Sequence, residues 1–413
     1  MDIIHDVNRF TLPRLVSESL EQRLAVMPAV VITGARQTGK STLAQKLTSG
    51  KRRYFTLDDL DVLEAARNEP EILTEGDEPV TLDEIQREPA LLQAVKRSID
   101  KRKRPGHFLL TGSANLLLMG KVSESLAGRA SYLTLWPMTR QEQLGNGGCG
   151  LWSEILNADE REWIDLIEMA GREAEDWNAF AMRGGFPTPA VELTDSAERR
   201  IWFDGYVRTY LERDLQALSS IEALPDFRRL MRAVCLRLGG MINQSEISRD
   251  IGIPQPTIHR YLNLLQTSYL LSRVPAFASN RTKRLMRSPK VYWGDTGLAL
   301  HISEEQNPGG VHFENLVLND LLAWRDAQIE RAEIYFWRTH AGAEVDLIIE
   351  TAKGILPIEI KSSTRPRIDD AWHLRAFRQT QKERVRSGLL VHSGERTEWI
   401  APDVLAVPWW RII

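Results

Sequence analysis

The amino-acid sequence predicts a multi-domain α/β protein whose N-terminal domain is a parallel sheet with helices on both faces. The chain has 413 residues, which is enough for two to four domains. A glycine-bounded loop, residues 34–42, directly follows an apolar strand. Short apolar strands then alternate with helical segments through the first third of the chain, which is typical of a parallel sheet.

The composition narrows the class of protein further. With 43% hydrophobic and 26% charged residues, the chain has the composition of a soluble globular protein. The net charge of −3 means that any binding of nucleic acid must come from a local patch. Two cysteines are too few for a disulfide framework or a four-cysteine zinc site. No run of 18 apolar residues and no basic leader occurs, so we expect a cytoplasmic protein without membrane contact.

The loop after the first strand has the pattern G-x-x-x-x-G-K-[ST], the phosphate-binding P-loop. Gly34 and Gly39 allow the backbone to curl so that its N–H groups point at phosphate oxygens. Lys40 adds a positive charge, and Ser41 offers a hydroxyl to Mg²⁺. The alternative is a glycine turn with an incidental lysine. The residues expected to bind the nucleotide are Gly34, Ala35, Arg36, Gln37, Thr38, Gly39, Lys40, Ser41 and Thr42.

Polar residues follow the later strands of this domain. The strands are expected at residues 54–57, 79–82, 108–110 and 132–135. Ligands of parallel sheets lie at the carboxyl ends of strands. Asp83 is therefore a candidate Walker B carboxylate for Mg²⁺, and Glu84 a candidate base for the attacking water. Thr111 and Ser113 are candidates for sensing the γ-phosphate. The alternatives are a helix cap at Asp83-Glu84 and an ordinary turn at Thr111.

Arg129 is a candidate arginine finger. It lies in the segment Leu126-Ala127-Gly128-Arg129-Ala130, just before the fifth predicted strand. Such a finger would reach the nucleotide of a neighbouring subunit, so this role implies a homo-oligomer. A solvated surface arginine is the equally simple alternative.

These motifs together resemble the AAA-type ATPases of bacteria and archaea. More narrowly, they are similar to a poorly characterised group that joins this module to a C-terminal domain of unknown function. The resemblance implies ATP as the nucleotide, with Mg²⁺. The sequence has no clear second-sensor arginine motif after the fifth strand. Arg183, Arg208 and Arg213 are candidates for that role. The segments that carry the resemblance are residues 34–42, 81–86, 110–113, 125–129, 183–187 and 210–214.

Composition shifts predict four domains. A glycine cluster at residues 145–150 marks the end of the ATPase core, which is expected at residues 1–145. Residues 146–220 read as a mostly helical lid or connector. A compact helical unit with a hairpin follows at residues 221–293, and a mixed α/β domain occupies residues 294–413.

The third predicted domain reads as a winged helix. A short helix, a glycine turn at Gly252 and a second helix are followed by two strands with cations between them. Early positions of the second helix would face bases, and the wing cations would contact phosphates. The alternatives are packing against neighbouring domains and a merely solvated charged face. The candidate DNA-binding residues are Gln255, Thr257, His259, Arg260, Arg281, Lys283 and Arg284, with Arg287 and Lys290 as further wing cations.

The last domain carries a pattern that resembles the PD-(D/E)xK nuclease superfamily. Asp346 ends the polar face of one strand, and Glu359 and Lys361 share a face of the next. The resemblance implies that Asp346 and Glu359 hold Mg²⁺ and that Lys361 activates water, with Glu314 on a preceding helix completing the metal shell. The alternative is a half-exposed sheet with alternating charges.

Three functions from different classes follow. The first is an ATP-binding and ATP-hydrolysing AAA-type protein that couples its nucleotide state to a DNA-associated C-terminal module. The second is an ATP-gated, metal-dependent DNA nuclease. The third is a non-hydrolysing, ATP-switched DNA-binding regulator.

Overall fold

The chain folds into two compact units, Met1–Gly148 and Cys149–Ile413. The computed structural model describes residues 11–48, 50–112, 126–214, 223–278, 284, 288–339, 341–381 and 384–413. Within these residues, no helix is long and apolar enough to cross a membrane. The division between the units lies inside the glycine cluster that follows the first sheet.

The first unit contains a five-stranded sheet in which all neighbouring strands run parallel. The predicted parallel sheet is thereby confirmed, with strand bounds shifted by one or two residues. All five residues of the first strand are buried, so both faces of the sheet are covered. The strand order is β2-β3-β4-β1-β5. The strands are β1 Ala29–Thr33, β2 Arg53–Thr56, β3 Val80–Asp83, β4 Phe108–Thr111 and β5 Ala130–Thr134.

Helices connect these strands and bury their apolar faces against the sheet. One core cluster joins Val31 and Leu110 of the sheet to Leu63, Leu73 and Val95 of the helices. This apolar burial is the main stabilising contribution to such a layered fold. The helices are α1 Ser17–Val26, α2 Lys40–Thr42 with a π-helical continuation Leu43–Leu47, α3 Leu60–Asn68, α4 Pro70–Thr74, α5 Leu91–Lys101 and α6 Arg140–Gln143, with a 3₁₀ turn at Ile85–Arg87.

The second unit begins with helices that are held by buried aspartates. Asp320 accepts hydrogen bonds from the backbone N–H of Gly150 and the indole of Trp152. Asp295 receives the N–H of Gly185, and a Cβ at Gly184 would come within 2.5 Å of its carboxylate. The helices are α7 Trp152–Asn157, α8 Trp163–Met169, α9 Trp177–Arg183, α10 Ser196–Tyr206, α11 Leu224–Cys235, α12 Gln244–Ile251, α13 Gln255–Thr267, α14 Thr296–Ser303 and α15 Gly310–Ala327, with π-helical turns at Thr188–Glu192 and Val207–Asp214 and a 3₁₀ turn at Glu160–Glu162.

An antiparallel hairpin, β6 Leu271–Val274 and β7 Lys290–Trp293, follows α13. Its second strand is bound directly to α15. Asn315 donates from its side-chain amide to the carbonyl of Trp293 (2.7 Å) and accepts from the N–H of the same residue (2.8 Å). The hairpin and α15 therefore belong to one compact body, although the sequence places a domain boundary directly after Trp293.

The rest of the second unit is a mixed sheet in the order β12-β13-β11-β10-β9-β8. The pairs β10–β11 and β11–β13 are parallel, and the other neighbours are antiparallel. Both α15 and a later helix pack against β10. The elements are β8 Glu333–Arg338, β9 Glu344–Thr351, β10 Gly354–Lys361, a 3₁₀ turn Ile368–Ala371, α16 Trp372–Gln381, β11 Gly388–His392, β12 Glu398–Ala401, β13 Val404–Pro408 and α17 Trp409–Ile412.

The alternative prediction of a half-exposed sheet with alternating charges is wrong for Glu359 of β10. Ile358 and Ile360 are buried as expected, but Glu359 on the opposite face is only 3% exposed. The carboxylate of Glu359 is therefore buried, and a buried carboxylate needs a partner to offset its lost hydration.

Candidate functional site

The P-loop of the first unit joins the carboxyl end of β1 to α2. Gly34 has a φ of 143°, and a Cβ there would lie 2.2 Å from the carbonyl oxygen of Leu135. Only glycine fits this approach between two backbone segments. Thr38 closes the loop internally, because its hydroxyl donates to the carbonyl of Ala35 at 3.0 Å.

Lys40 is buried against the same loop. Its Nζ donates to the carbonyl oxygens of Ala35 at 2.7 Å and Gly34 at 3.3 Å. Burial lowers the pKa of Lys40 to about 8, and the carboxylates of Glu84 and Asp83 offset part of that effect. The ammonium therefore lies against the loop that is expected to surround the phosphates.

Asp83 is the centre of the site at the end of β3. Its Oδ1 accepts hydrogen bonds from the hydroxyl of Ser41 (3.1 Å) and from the hydroxyl of Thr111. Its Oδ2 accepts from the hydroxyl of Tyr54 at 2.7 Å. A carboxylate next to a serine hydroxyl at the start of α2 is the donor set that Mg²⁺ takes in P-loop proteins. Ser41 and Asp83 therefore fit a nucleotide-bound Mg²⁺.

Glu84 is held by two contacts in an uncommon backbone conformation. Its φ is 57°, in the left-handed region that few non-glycine residues adopt. Its N–H donates to the hydroxyl oxygen of Thr111 at 3.1 Å, and the side-chain amide of Gln86 donates to its carboxylate. Thr111 thus binds both acids, because it accepts from Glu84 and donates to Asp83.

The strand order explains why these residues meet. β4 lies between β1 and β3, so Thr111 lies between the P-loop strand and the strand that carries Asp83. The structure brings together five candidate residues at the carboxyl ends of the parallel strands: Lys40, Ser41, Asp83, Glu84 and Thr111. Ser113, the other candidate sensor, lies outside the described residues.

Two further residues of this site have no motif in the sequence. Tyr54, at the second position of β2, contacts Asp83, and this hydrogen bond together with burial raises the tyrosine pKa above its ordinary value. Arg14 is 7% exposed and donates to the carbonyls of Thr38 (2.7 Å) and Trp136 (2.8 Å). It also pairs with Glu142 at 2.9 Å. The partners of Arg14 lie 24 to 128 residues away, so no local pattern marks it.

Arg129 lies at the amino end of the parallel strands, whereas the P-loop lies at their carboxyl end. Arg129 precedes β5, which starts beside Ala29, whereas the P-loop follows Thr33 at the other end of β1. A five-residue strand is about 16 Å long, so Arg129 does not reach the nucleotide site of its own chain. Its guanidinium makes a bidentate contact with Asp100, at 2.7 and 3.0 Å. A role as a finger toward another subunit stays a prediction.

The nuclease-like residues of the second unit also meet, but around a lysine. Lys290 Nζ lies 2.6 Å from Glu344 Oε1, 3.2 Å from Glu314 Oε1 and 3.7 Å from Asp346 Oδ1. Glu359 pairs with Lys361 at 2.7 Å. Within the described residues, no group of three or more acidic, histidine or cysteine side chains is placed to hold a metal ion.

Burial dominates the electrostatics of this cluster. It raises the pKa of Glu314 to about 7 and that of Glu359 to about 8, and in both cases the charge of Asp346 adds to the effect. Burial alone would lower the pKa of Lys290, but the surrounding carboxylates of Glu314, Asp346 and Glu344 raise it above the ordinary value. The surrounding carboxylates thus favour the charged form of Lys290.

The candidate DNA-binding residues are divided by the structure. Gln255, His259 and Arg260 are exposed on α13, and Thr257 is half-buried. Arg284 is 8% exposed and pairs with Glu350 at 2.6 Å, so its predicted phosphate contact is not supported. Lys290 is likewise buried within the acidic cluster rather than on a wing. Arg281, Lys283 and Arg287 lie outside the described residues.

Comparison with protein families assigns three segments of the chain. An AAA domain matches residues 27–144. A Domain of unknown function (DUF8612) matches residues 174–308, and a Domain of unknown function (DUF4143) matches residues 309–412. The AAA match covers β1 to β5 and the acidic strand end, which agrees with the nucleotide-site geometry.

Similar proteins are known in several organisms. The uncharacterized protein Rv2008c of Mycobacterium tuberculosis is 30% identical over 405 residues, which cover 94% of this chain and 82% of the relative. An uncharacterized protein of Haemophilus influenzae is 21% identical over 311 residues, covering 74% of this chain and 70% of the relative. Among solved structures, the Walker-type ATPase PABY2304 of Pyrococcus abyssi has a TM-score of 0.44 at 15% identity, covering 71% of this chain and 99% of that chain. At 30% identity over most of both chains, the chain belongs to the family of the mycobacterial protein, and its residues 27–144 match an AAA domain.

Proposed function

We propose that the N-terminal unit binds ATP with Mg²⁺ and hydrolyses it. The observation that carries this proposal is the double contact of Thr111, which joins Asp83 to Glu84 beside Ser41. This arrangement supports Asp83 as the acid that would hold the metal and Glu84 as the acid that would act on the water.

The residues divide the work as follows. The loop N–H groups and Lys40 bind the phosphates, and the start of α2 adds its positive dipole end. Bound Mg²⁺ would supply charge neutralisation on the β- and γ-phosphates. Ser41 and Asp83 would hold that ion. Glu84 orients the attacking water and accepts its proton, while Gln86 and Thr111 fix the position of Glu84.

The test is ATP turnover and ATP binding in Lys40→Ala, with Lys46→Ala as the matched control. Lys46 is an exposed lysine in the helical segment that follows α2. Lys40→Ala is expected to lower turnover on the order of a hundredfold or more, because it removes the buried cation of the loop. Lys46→Ala is expected to retain wild-type turnover. Equal turnover in the wild type and Lys40→Ala would overturn the proposal, as would turnover that persists after EDTA removes Mg²⁺.

We also propose that α13 contacts DNA and that the ATPase unit acts on this DNA-associated module. Helices α11, α12 and α13 followed by the β6–β7 hairpin have the order of a winged helix, and exposed Gln255, His259 and Arg260 support α13 as its recognition helix. Because Arg284 and Lys290 are buried, the exposed residues of α13 carry the proposal.

The DNA proposal is tested by duplex binding at several salt concentrations, in the ATP and ADP states. Arg260→Ala is expected to weaken binding and to reduce its salt dependence, because it removes a cation near the phosphates. Arg200→Ala, an exposed arginine on α10, is the matched control and is expected to leave binding unchanged. If Arg260→Ala binds DNA as the wild type does, α13 is not the contact.

A further inference from the structure

A protein cation occupies the centre of the acidic cluster in the second unit. The ammonium of Lys290 lies within 4 Å of oxygens from Glu314, Glu344 and Asp346. In a PD-(D/E)xK nuclease, carboxylates of this kind would hold a divalent ion. Mg²⁺ binds oxygen ligands at about 2.0–2.1 Å in octahedral geometry, and it cannot share these oxygens with an ammonium at the same point.

Several carboxylate oxygens of the cluster already accept hydrogen bonds from other protein groups. Glu314 Oε1 also accepts the hydroxyl of Tyr292. Asp346 Oδ2 accepts the backbone N–H of Ile360 at 2.9 Å. Glu359 Oε1 is bound by Lys361. These carboxylates are thus arranged for donors on the protein itself.

Lys290 cannot easily leave this position. It is 3% exposed and begins β7, where it pairs with Val274. Its ammonium lies 5.6 Å from the centre of the Phe336 ring, which adds a cation–π contact. Moving the ammonium into solvent would take the lysine cation away from the partly buried carboxylates of Glu314 and Asp346, and leaving such charges uncompensated is costly.

One atom is left without a partner. Glu359 Oε2 is buried and makes no hydrogen bond. Asp346 and Lys290 both act on this carboxylate electrostatically, so it belongs to the same cluster. If the ammonium were removed, Glu359 Oε2 would be an unpaired oxygen in the same cluster as Asp346.

We propose that Lys290 replaces the divalent metal of the nuclease-like site, so that the C-terminal domain neither binds that metal nor cleaves DNA. The lysine then serves as an internal ionic link between the β6–β7 hairpin, α15 and the mixed sheet. Removing the ammonium would free these carboxylates to close on a divalent ion, a latent metal site that the described residues do not form while Lys290 is in place. This proposal goes beyond the ATPase function and does not depend on it.

The test measures Mn²⁺ uptake by the full-length chain without nucleotide. The readout is the decrease of the free Mn²⁺ signal in electron paramagnetic resonance. Asp83→Asn is present in every sample so that the P-loop site does not contribute. With Lys290 intact, no Mn²⁺ uptake is expected. Lys290→Ala and Lys290→Met are expected to take up one ion per chain, at least about tenfold more tightly than the Lys290 chain. Uptake should disappear when Glu359→Gln is added.

Lys353→Ala is the matched control, because Lys353 is an exposed lysine at the turn before β10. It is expected to take up no ion. Uptake of one Mn²⁺ by the chain with Lys290 intact, lost in Asp346→Asn, would overturn the proposal even if the Lys290 variants failed to fold. Nicking of supercoiled plasmid by the wild type with Mn²⁺, lost in Lys361→Ala, would also overturn it. Folded Lys290 variants that take up no ion would contradict the latent site.

Discussion

A buried arginine, Arg14, connects three parts of the N-terminal unit at the level of a single side chain. It donates to the P-loop at Thr38, to the segment after β5 at Trp136, and to Glu142, whose other oxygen receives the N–H of Thr139 in a capping box at α6. The loop that is expected to bind phosphate is thus supported from behind by a fixed guanidinium. Arg14 holds the loop in position through the carbonyl of Thr38.

Arg14→Ala is expected to lower the free energy of unfolding of the N-terminal unit by about 3–5 kcal/mol, because Glu142 would keep a buried charge without its partner. It should also weaken ATP binding, because the Thr38 carbonyl loses its donor. Chemical denaturation and calorimetric ATP titration measure the two effects.

Arg97→Ala is the control for this prediction. Arg97 pairs with Glu71 at 2.7 Å, but both side chains are about half exposed. Removing such a solvent-screened pair is expected to leave the free energy of unfolding nearly unchanged. A similar, small effect for both arginines would contradict the account of Arg14.

The residues that the sequence could identify are those with a local pattern. Asp83, Glu84 and Thr111 were predictable because they end strands of a parallel sheet. Tyr54 and Arg14 were not, because their partners are distant in sequence and are chosen by packing. Lys290 was assigned to a wing for the same reason, since nothing near it in the sequence shows the carboxylates that surround it.

At the level of elements, Asp295 links α14 to the glycine segment after α9. Its Oδ1 accepts the N–H of Leu298 at 2.7 Å, and its Oδ2 accepts the N–H of Gly185 at 2.6 Å. Burial raises the pKa of Asp295 from 3.8 to about 6, although these backbone hydrogen bonds act in the opposite direction. The segment Arg183-Gly184-Gly185 thus has a structural explanation, because it folds against this carboxylate.

The raised pKa predicts how stability depends on pH. Because the folded chain holds the Asp295 proton more tightly than the unfolded chain, this contribution to stability is present at low pH and is lost as pH rises through about 6. The stability difference between the wild type and Asp295→Asn should therefore shift against the wild type by about 1 kcal/mol between pH 5 and pH 7.5. Denaturant unfolding of both proteins at several pH values measures it. A difference that does not change over this range would contradict the burial effect.

The strands of the first sheet were predictable from their apolar runs, with ends displaced by one or two residues. The order of the strands was not. β4 follows β3 in sequence and also lies between β3 and β1, which a linear pattern does not reveal. The burial of Glu359 was missed because alternation of apolar and charged residues normally indicates one solvated face.

At the level of the whole molecule, the chain has two compact units where composition suggested four domains. The predicted boundary after Trp293 separates Lys290 and Tyr292 from Glu314, yet these side chains are in direct contact. Contacts between residues far apart in sequence therefore join the helical part, the hairpin and the mixed sheet of the second unit. The sequence shows no trace of such pairings.

The position of Arg129 bears on whether the protein forms a homo-oligomer. An arginine at the amino end of the strands can contact only a nucleotide bound to another subunit. The finger role of Arg129 therefore requires a homo-oligomer, and both stay predictions. Measuring the mass of the protein with ATP and with ADP would show whether such an assembly forms.

The most direct test of the central claim is the release of phosphate from ATP by Glu84→Gln, measured together with the amount of ATP that stays bound. The account predicts that this variant retains ATP while phosphate release falls by roughly 10²–10⁴-fold, because the base for the attacking water is lost. Glu64→Gln, an exposed glutamate on α3, should behave as the wild type. Wild-type phosphate release by Glu84→Gln would contradict a hydrolytic site built on Asp83, Glu84 and Thr111.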